Sequence, residues 1–180
     1  MEPDASSVKF RHPKIAYCQI FGSLHNAAMS LPNHAPDQLP AAGIVASLSP
    51  SERGELCSYG EFITHPKGDT VVEQGLTQAF LHLVLEGELR VILKSDEAIL
   101  PLGYVQAGEC VGEMSLLEPV DASATVLANS TSKVWAISRA RFEEFTDVNP
   151  AVAAKLLKAI AIQLGSRLRK GSERLLDAES

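Results

Sequence analysis

The spacing of apolar residues changes twice along this chain, and these changes constrain the fold more than any other feature of the sequence. Between about residues 61 and 137, short apolar runs are separated by glycine-containing turns such as Pro66-Lys67-Gly68-Asp69 and Ala107-Gly108-Glu109. Helical segments precede and follow this stretch. Many short, closely spaced strands are typical of a sandwich or barrel. The sequence therefore predicts an α+β fold, in which a sandwich or barrel of short strands has flanking helices.

Capping residues place the helices on either side of the strands. Ser49-Pro50-Ser51-Glu52 has a serine N-cap, a proline at the first helical position and a glutamate three residues after the cap, which predicts a short helix ending near Gly60. Ser138 is expected to cap a helix over residues 139–147. Asn149-Pro150 starts a long helix that should run to about Lys170 and end at Gly171.

Three regions follow from this order of elements. Residues 1–43 contain five prolines and no sustained alternation, and they form a leader that either is mobile, lies on the domain as a strap or docks a partner. Residues 44–171 form the domain, including the long helix. Residues 172–180 are expected to be a frayed tail.

Composition excludes several classes of protein. No apolar run reaches the roughly 18 residues that a membrane span needs, and the acidic start at Met1–Ala5 does not resemble a signal peptide. The 22 acidic and 16 basic residues give a net charge of -6, which disfavours nucleic acid as the main partner. The three cysteines fit no zinc spacing, so we expect reduced thiols, a cytoplasmic protein and no metal site.

One segment between the strands carries a recognisable pattern. Gly108-Glu109 precedes Gly112-Glu113-Met114-Ser115-Leu116-Leu117, and Ser123-Ala124-Thr125-Val126 follows. Together with Gly68, Gly75, the run from Val84 to Val91 and the closing helices, this order resembles the cyclic-nucleotide-binding domain of the catabolite-activator and protein-kinase-A regulatory type. The resemblance extends from about Ile44 to Arg169 and implies that the strands form a β-roll, a jelly-roll-like barrel with flanking helices.

The resemblance implies a ligand site in this segment. The backbone amides from Gly112 to Ser115, which include that of Met114, would face the phosphate and ribose of a cyclic nucleotide. Glu113 would accept a hydrogen bond from the ribose 2′-hydroxyl. Ser123 and the amide of Ala124 would contact a phosphate oxygen, and Thr125 completes the candidate cassette.

The sequence departs from the family at the position that pairs with the phosphate. The family has an arginine there, two residues before the Ala-Thr-Val, whereas this chain has Ala122, preceded by Asp121. No lysine or arginine occurs between Lys94 and Lys133. Loss of an arginine–phosphate contact is expected to weaken binding substantially. Arg167 or Arg169 of the long helix is a possible replacement cation.

The long helix has apolar residues on two sides. Val152, Leu156 and Ala159 form one stripe, and a second is formed by Ala153, Leu157, Ile160, Leu164 and Leu168. A helix on one barrel face needs a single stripe. The second stripe therefore predicts a homodimer or a protein partner, unless it packs within the same chain under residues 15–31.

Two functions remain open at this point. In the first, the domain is a non-enzymatic regulatory module with a degenerate nucleotide pocket, which binds cyclic nucleotide weakly or not at all and acts through protein–protein contacts. The alternative is a working cyclic AMP or cyclic GMP sensor that relays ligand binding through the long helix. No catalytic constellation is evident, so we expect no enzyme and no cofactor other than a possible cyclic nucleotide. The family's transcription factors continue beyond this helix as a DNA-binding domain, and the chain ends at Ser180, so we expect no DNA binding.

Overall fold

Among the described residues, eight strands build the central part of the protein. The computed structural model describes residues 38–77, 79–95 and 97–178, with side chains described to residue 173. The strands are β1 (Glu61–His65), β2 (Thr70–Val72), β3 (Phe80–Glu86), β4 (Glu88–Lys94), β5 (Ile99–Gln106), β6 (Cys110–Val111), β7 (Thr125–Ala128) and β8 (Ser132–Ser138). They form two four-stranded antiparallel sheets, in the orders β1-β8-β3-β6 and β2-β7-β4-β5. The predicted α+β fold, a β-roll with flanking helices, is confirmed.

In the part of the chain that the structure describes, five helical segments accompany the sheets. They are a short 3-10 helix (Gly43–Val45), α1 (Pro50–Cys57), α2 (Glu113–Leu117), α3 (Arg139–Val148) and α4 (Pro150–Ala178). The predicted helix starts are confirmed by their caps. The Ser49 hydroxyl accepts from the Glu52 amide at 3.2 Å, and the Glu52 carboxylate accepts from the Ser49 amide at 2.7 Å. The Ser138 hydroxyl accepts from the Arg141 amide at 3.3 Å.

The long helix is longer than the sequence predicted. It passes through Gly171 and continues to Ala178, so residues 172–178 are helical rather than frayed. Gly171 has no positive φ in this structure. Glycine permits the left-handed turn that ends many helices but does not impose it, and continuing the helix costs only about 1 kcal/mol relative to alanine.

Two apolar cores lie on opposite faces of the sheet that contains β3. The helix-side core includes Leu81 and Leu83 of β3, together with Leu56, Trp135, Phe145, Leu156 and Ile160. The barrel core, between the sheets, includes Val84 of β3, together with Val71, Val72, Leu89, Val105, Val126 and Val134. Burial on both faces explains why β3 is a nearly continuous apolar run rather than an alternating one.

Most of the second apolar stripe of α4 is buried within the chain itself. Ala153 and Ile160 are 2% and 1% exposed, and Leu157 and Leu164 are partly buried against the helix-side core. Only Leu168 of this stripe faces solvent, at 74% exposure. The helix is covered by α3 and by the 3-10 helix at residues 43–45, which contact it directly. The argument that this stripe needs a second chain to cover it is therefore wrong.

The packed domain begins before position 44. Leu39 is 3% exposed in the helix-side core, and its carbonyl accepts from Arg53 Nε at 3.1 Å. Its place in the core contrasts with the predicted leader, which extended to residue 43. The remainder of the predicted leader, including the strap at residues 15–31, lies outside the described residues. Within the described part of the chain, no helix has the length and apolar character needed to cross a bilayer.

Candidate functional site

A cavity of about 760 Å³ lies where the segment around α2, the strands of the second sheet and the distal part of α4 meet. Its floor is apolar and includes Val72, Val91 and Val126, whereas Leu102 and Tyr104 of β5 form an exposed apolar wall. The polar groups come from residues 109–115, residues 121–124 and α4. The cavity therefore combines an apolar surface with polar groups converging from three segments, which is typical of a small-molecule site.

Gly112 starts the helix that forms one wall. Its φ of 82° lies in the left-handed region, which glycine adopts without the penalty that a Cβ brings. α2 then places Glu113, Met114 and Ser115 along the cavity. Ser115 is 5% exposed, and its hydroxyl donates a hydrogen bond to the Val120 carbonyl at 3.4 Å, so the hydroxyl is engaged within the chain.

The opposite wall is formed by the segment that enters β7. Asp121, Ala122, Ser123 and Ala124 all line the cavity. The Asp121 carboxylate accepts from the hydroxyl of Thr77, and the Ala122 amide donates to the Leu76 carbonyl at 3.0 Å. These bonds attach the segment to the loop before β3 and fix its position.

Thr125 lies apart from the other predicted cassette residues. It is fully buried in β7, and its hydroxyl accepts from the Gln74 amide at 3.2 Å. The remaining seven predicted residues, from Gly112 to Ser115 and from Ala122 to Ala124, all reach the one cavity. Thr125 therefore supports the loop behind the wall rather than forming the wall.

Glu113 is paired with an arginine of α4. Its Oε1 accepts from Arg167 Nη1 at 3.0 Å, and the Glu113 side chain is only 8% exposed. A second nitrogen of the same guanidinium, Nη2, donates to the Cys110 carbonyl at 2.7 Å. The acidic group for which the resemblance implies a ribose contact is thus engaged by a residue 54 positions further along the chain.

A second arginine fixes the other end of α2. Arg139, the first residue of α3, donates through Nη2 to the carbonyls of Ser115 and of Glu118, the latter at 2.7 Å. Carbonyls at a helix C-terminus have no partner within the helix, and a cation there also complements the helix dipole. Sequence reasoning missed this contact, because no local pattern links residue 139 to residue 115.

Cys110 is a buried structural residue next to the cavity. It is fully buried, and burial together with the negative charge of Glu113 raises the pKa of its thiol to about 12. The thiol therefore stays protonated and is a poor nucleophile. Gln163 of α4 contacts both backbone groups of Cys110, a second arrangement that the sequence did not indicate.

Comparison with known proteins identifies a family with this fold. The family model described as cyclic nucleotide-binding domain matches residues 62–149. The chain is 29% identical over 113 residues to the cAMP-activated global transcriptional regulator CRP of Escherichia coli, a match that covers 62% of this chain and 52% of the regulator. It is also 29% identical over 100 residues to a cAMP-dependent protein kinase regulatory subunit of Aspergillus fumigatus, covering 56% of this chain and 24% of that protein.

A solved structure has the same architecture. A cyclic nucleotide-binding domain from Methylobacillus flagellatus is 27% identical, with a TM-score of 0.69, and the alignment covers 73% of this chain and 74% of that chain. The residues that the family model matches, 62–149, include strands of both sheets, α2 and α3. Residues 62–149, with the helices packed around them, therefore form a cyclic nucleotide-binding domain of the type found in the catabolite-activator regulators and the regulatory subunits of protein kinase A.

Proposed function

We propose that this domain is a non-enzymatic regulatory module whose cavity binds cyclic nucleotides weakly, and that it acts through protein–protein contacts made by α4. The observation that carries the proposal is the arrangement of positive charge around the cavity. Among the described lining residues, the cations are Arg167 and Lys170, and both belong to α4. The wall formed by residues 121–124 carries a carboxylate and no cation.

The position of this charge opposes a phosphate at the Ser123–Ala124 wall. Asp121 puts a negative charge there, and Ala122 has no group that can pair with an anion. Truncating one partner of a buried, charge-assisted pair costs about 2–5 kcal/mol, or roughly 30-fold to several thousand-fold in affinity. A site that would otherwise bind in the micromolar range is then expected to bind above about 100 micromolar.

The chemistry of the cavity supports a binding role rather than catalysis. No histidine or cysteine is among the described residues that line it. The Ser115 hydroxyl is engaged by the Val120 carbonyl, which leaves no activated nucleophile at that position. Two of the matched relatives, a transcriptional regulator and a kinase regulatory subunit, are regulatory proteins by name.

The distal part of α4 is the surface that we assign to a partner. Ile162 and Leu168 are 62% and 74% exposed, respectively, although both are large apolar residues. α4 also contributes Arg167 to the cavity, so one element faces both the candidate ligand site and solvent. Two of the five partner residues predicted from the sequence, Ala153 and Ile160, are unsuited to this role because they are buried in the chain's own core.

Isothermal titration with cyclic AMP and cyclic GMP tests the proposal. We expect dissociation constants weaker than about 100 micromolar for both nucleotides. A low-micromolar constant for either would overturn the proposal and favour a working cyclic-nucleotide sensor.

A further inference from the structure

A side chain of α4 pairs with the edge of a sheet immediately before α2. β6 is the last strand of its sheet, with β3 as its neighbour on one side. On the other side, the Cys110 amide donates to Gln163 Oε1 at 3.1 Å, and Gln163 Nε2 donates to the Cys110 carbonyl at 3.0 Å. The carboxamide of Gln163 thus takes the place of a peptide group in a neighbouring strand.

Arg167 extends this contact by one helical turn. Residues four apart lie on the same face of a helix, so Gln163 and Arg167 point to the same segment. The guanidinium donates to the Cys110 carbonyl at 2.7 Å and to Glu113 at 3.0 Å. Four hydrogen bonds between nitrogen and oxygen atoms therefore connect these two residues of α4 to Cys110 and Glu113.

Among the side chains of α4 that the structure describes, apolar packing is confined to the first half of the helix. Val152, Leu156 and Ile160 are at most 8% exposed, and Leu164 is the last of the described residues that packs against the helix-side core. Beyond it, Leu168 is largely exposed. Among the described contacts, those that can position the helix beyond residue 164 are therefore the polar ones from Gln163 and Arg167 to Cys110 and Glu113.

We propose that Gln163 and Arg167 are positioning residues that hold the distal half of α4 against residues 110–113 without help from a ligand. All the groups in this contact belong to the chain, so the contact needs no group from a ligand. The inference rests on the proposed function for the role of α4 as the partner surface. It adds that this surface is presented constitutively, rather than in response to a cyclic nucleotide.

Hydrogen exchange of the full chain without nucleotide tests the proposal, with the parent compared to Gln163→Ala, Arg167→Ala and the double variant. We expect amides at residues 164–173 to exchange at least about tenfold faster in the double variant, while those at 152–160 are unchanged. Alanine is the best helix former, so faster exchange cannot result from lower helix propensity. Arg169→Ala removes an exposed arginine from the same turn and is the matched control.

Three outcomes would overturn the proposal. The first is unchanged exchange at residues 164–173 in the double variant. The second is equal acceleration in both halves of α4, which would indicate a general loss of stability. The third is a slowing of about tenfold at residues 164–173 when cyclic AMP is added to the parent, because the ligand would then be what holds the helix. If the double variant does not fold, the Arg167→Ala variant decides, since Arg167 is one-third exposed.

The hydrogen-exchange experiment and the isothermal titration test different claims. A low-micromolar dissociation constant for cyclic AMP would refute weak binding, whatever the exchange data show. Unchanged exchange in the double variant would refute the role of Gln163 and Arg167, even if the nucleotide binds as weakly as expected.

Discussion

A Cβ added to Gly112 would lie 2.1 Å from the carbonyl oxygen of Phe80, so the start of the candidate cassette is in direct backbone contact with β3. The contact leaves no room for a side chain, and the φ of 82° disfavours one independently. Glycine at this position therefore sets how closely α2 approaches the sheet.

Gly112→Ala should consequently destabilise the domain by about 2–4 kcal/mol, because backbone must move as well as adopt a strained φ. Gly68→Ala is the matched control. Gly68 has a similar φ of 91°, but a Cβ there meets nothing within 4 Å. It should cost only about 1–2 kcal/mol. Urea unfolding of both variants measures the difference, and equal losses would show that the contact with Phe80 is not tight.

Stability should fall in mild acid because of His82. This residue of β3 is 6% exposed, and neither ring nitrogen has a hydrogen-bond partner among the described residues. Burial, followed by the charge of His65, lowers the pKa of His82 from 6.5 to about 4. The unfolded chain then binds the proton more readily, so stability is complete above pH 6.5 and declines as the pH falls towards 4.

The size of this decline follows from the pKa difference. At about 1.4 kcal/mol per pH unit, it reaches about 3 kcal/mol. His82→Leu should remove this part of the pH dependence, which is measured as the difference between urea-unfolding free energies of parent and variant from pH 7 to pH 4. Parallel curves for the two proteins would show that His82 does not titrate as described.

Ala122→Arg should strengthen cyclic AMP binding by at least about tenfold, because it restores a cation to the wall formed by residues 121–124. Ala122 is half-buried and lines the cavity, so a longer side chain can extend into it. Asp121→Asn combined with it should add to the gain by removing a negative charge. Ala122→Met supplies length without charge and is the control in the titration. No gain for the arginine variant over the methionine variant would mean that the phosphate does not lie at this wall.

Two isoleucines of α4 should differ sharply in their contribution to stability. Ile160 is 1% exposed and Ile162 is 62% exposed, although they lie two residues apart. Ile160→Ala should cost about 2–4 kcal/mol through lost burial and the cavity left behind. Ile162→Ala should change stability by less than about 0.5 kcal/mol. Thermal melts distinguish them, and similar losses would contradict the packing of α4 described above.

Association through α4 is expected to depend on the exposed pair Ile162 and Leu168. If the partner is a second copy of the chain, the parent should sediment as a dimer at micromolar concentration, and Ile162→Glu with Leu168→Glu should give a monomer with an unchanged melting temperature. Leu157→Glu with Leu164→Glu should instead lower the melting temperature, because both residues pack on the helix-side core. A monomeric parent would exclude the homodimer and leave a different protein as the partner.

Features with local causes were predictable from the sequence. Ser49 and Ser138 cap helices because serine oxygens accept from amides three residues away, and that spacing is visible in the sequence. The eight candidate cassette residues were named from the family resemblance that the ordered glycines carry, and seven of them line one cavity. The capping interactions depend on residues close together in the sequence, and the structure contains them as predicted.

Features that depend on long-range contact were not predictable. The burial of Ile160 depends on a 3-10 helix more than one hundred residues earlier in the chain. The pairing of Arg167 with Glu113 and that of Arg139 with the Ser115 carbonyl join helices that have no pattern in common. Periodicity showed that α4 has two apolar sides, but it could not show that one chain covers both of them.

The strand order has a consequence for how this protein is made. β8 lies between β1 and β3 in the first sheet, so residues 61–65 pair with residues 132–136. During synthesis, β1 emerges from the ribosome about seventy residues before its partner, and the sheet cannot close until β8 has followed. Such non-local pairing slows folding and leaves apolar strands uncovered in the meantime. A nascent chain that stalls before Ser132 would therefore leave Leu81 and Leu83 uncovered, and translation through this interval is where aggregation would begin.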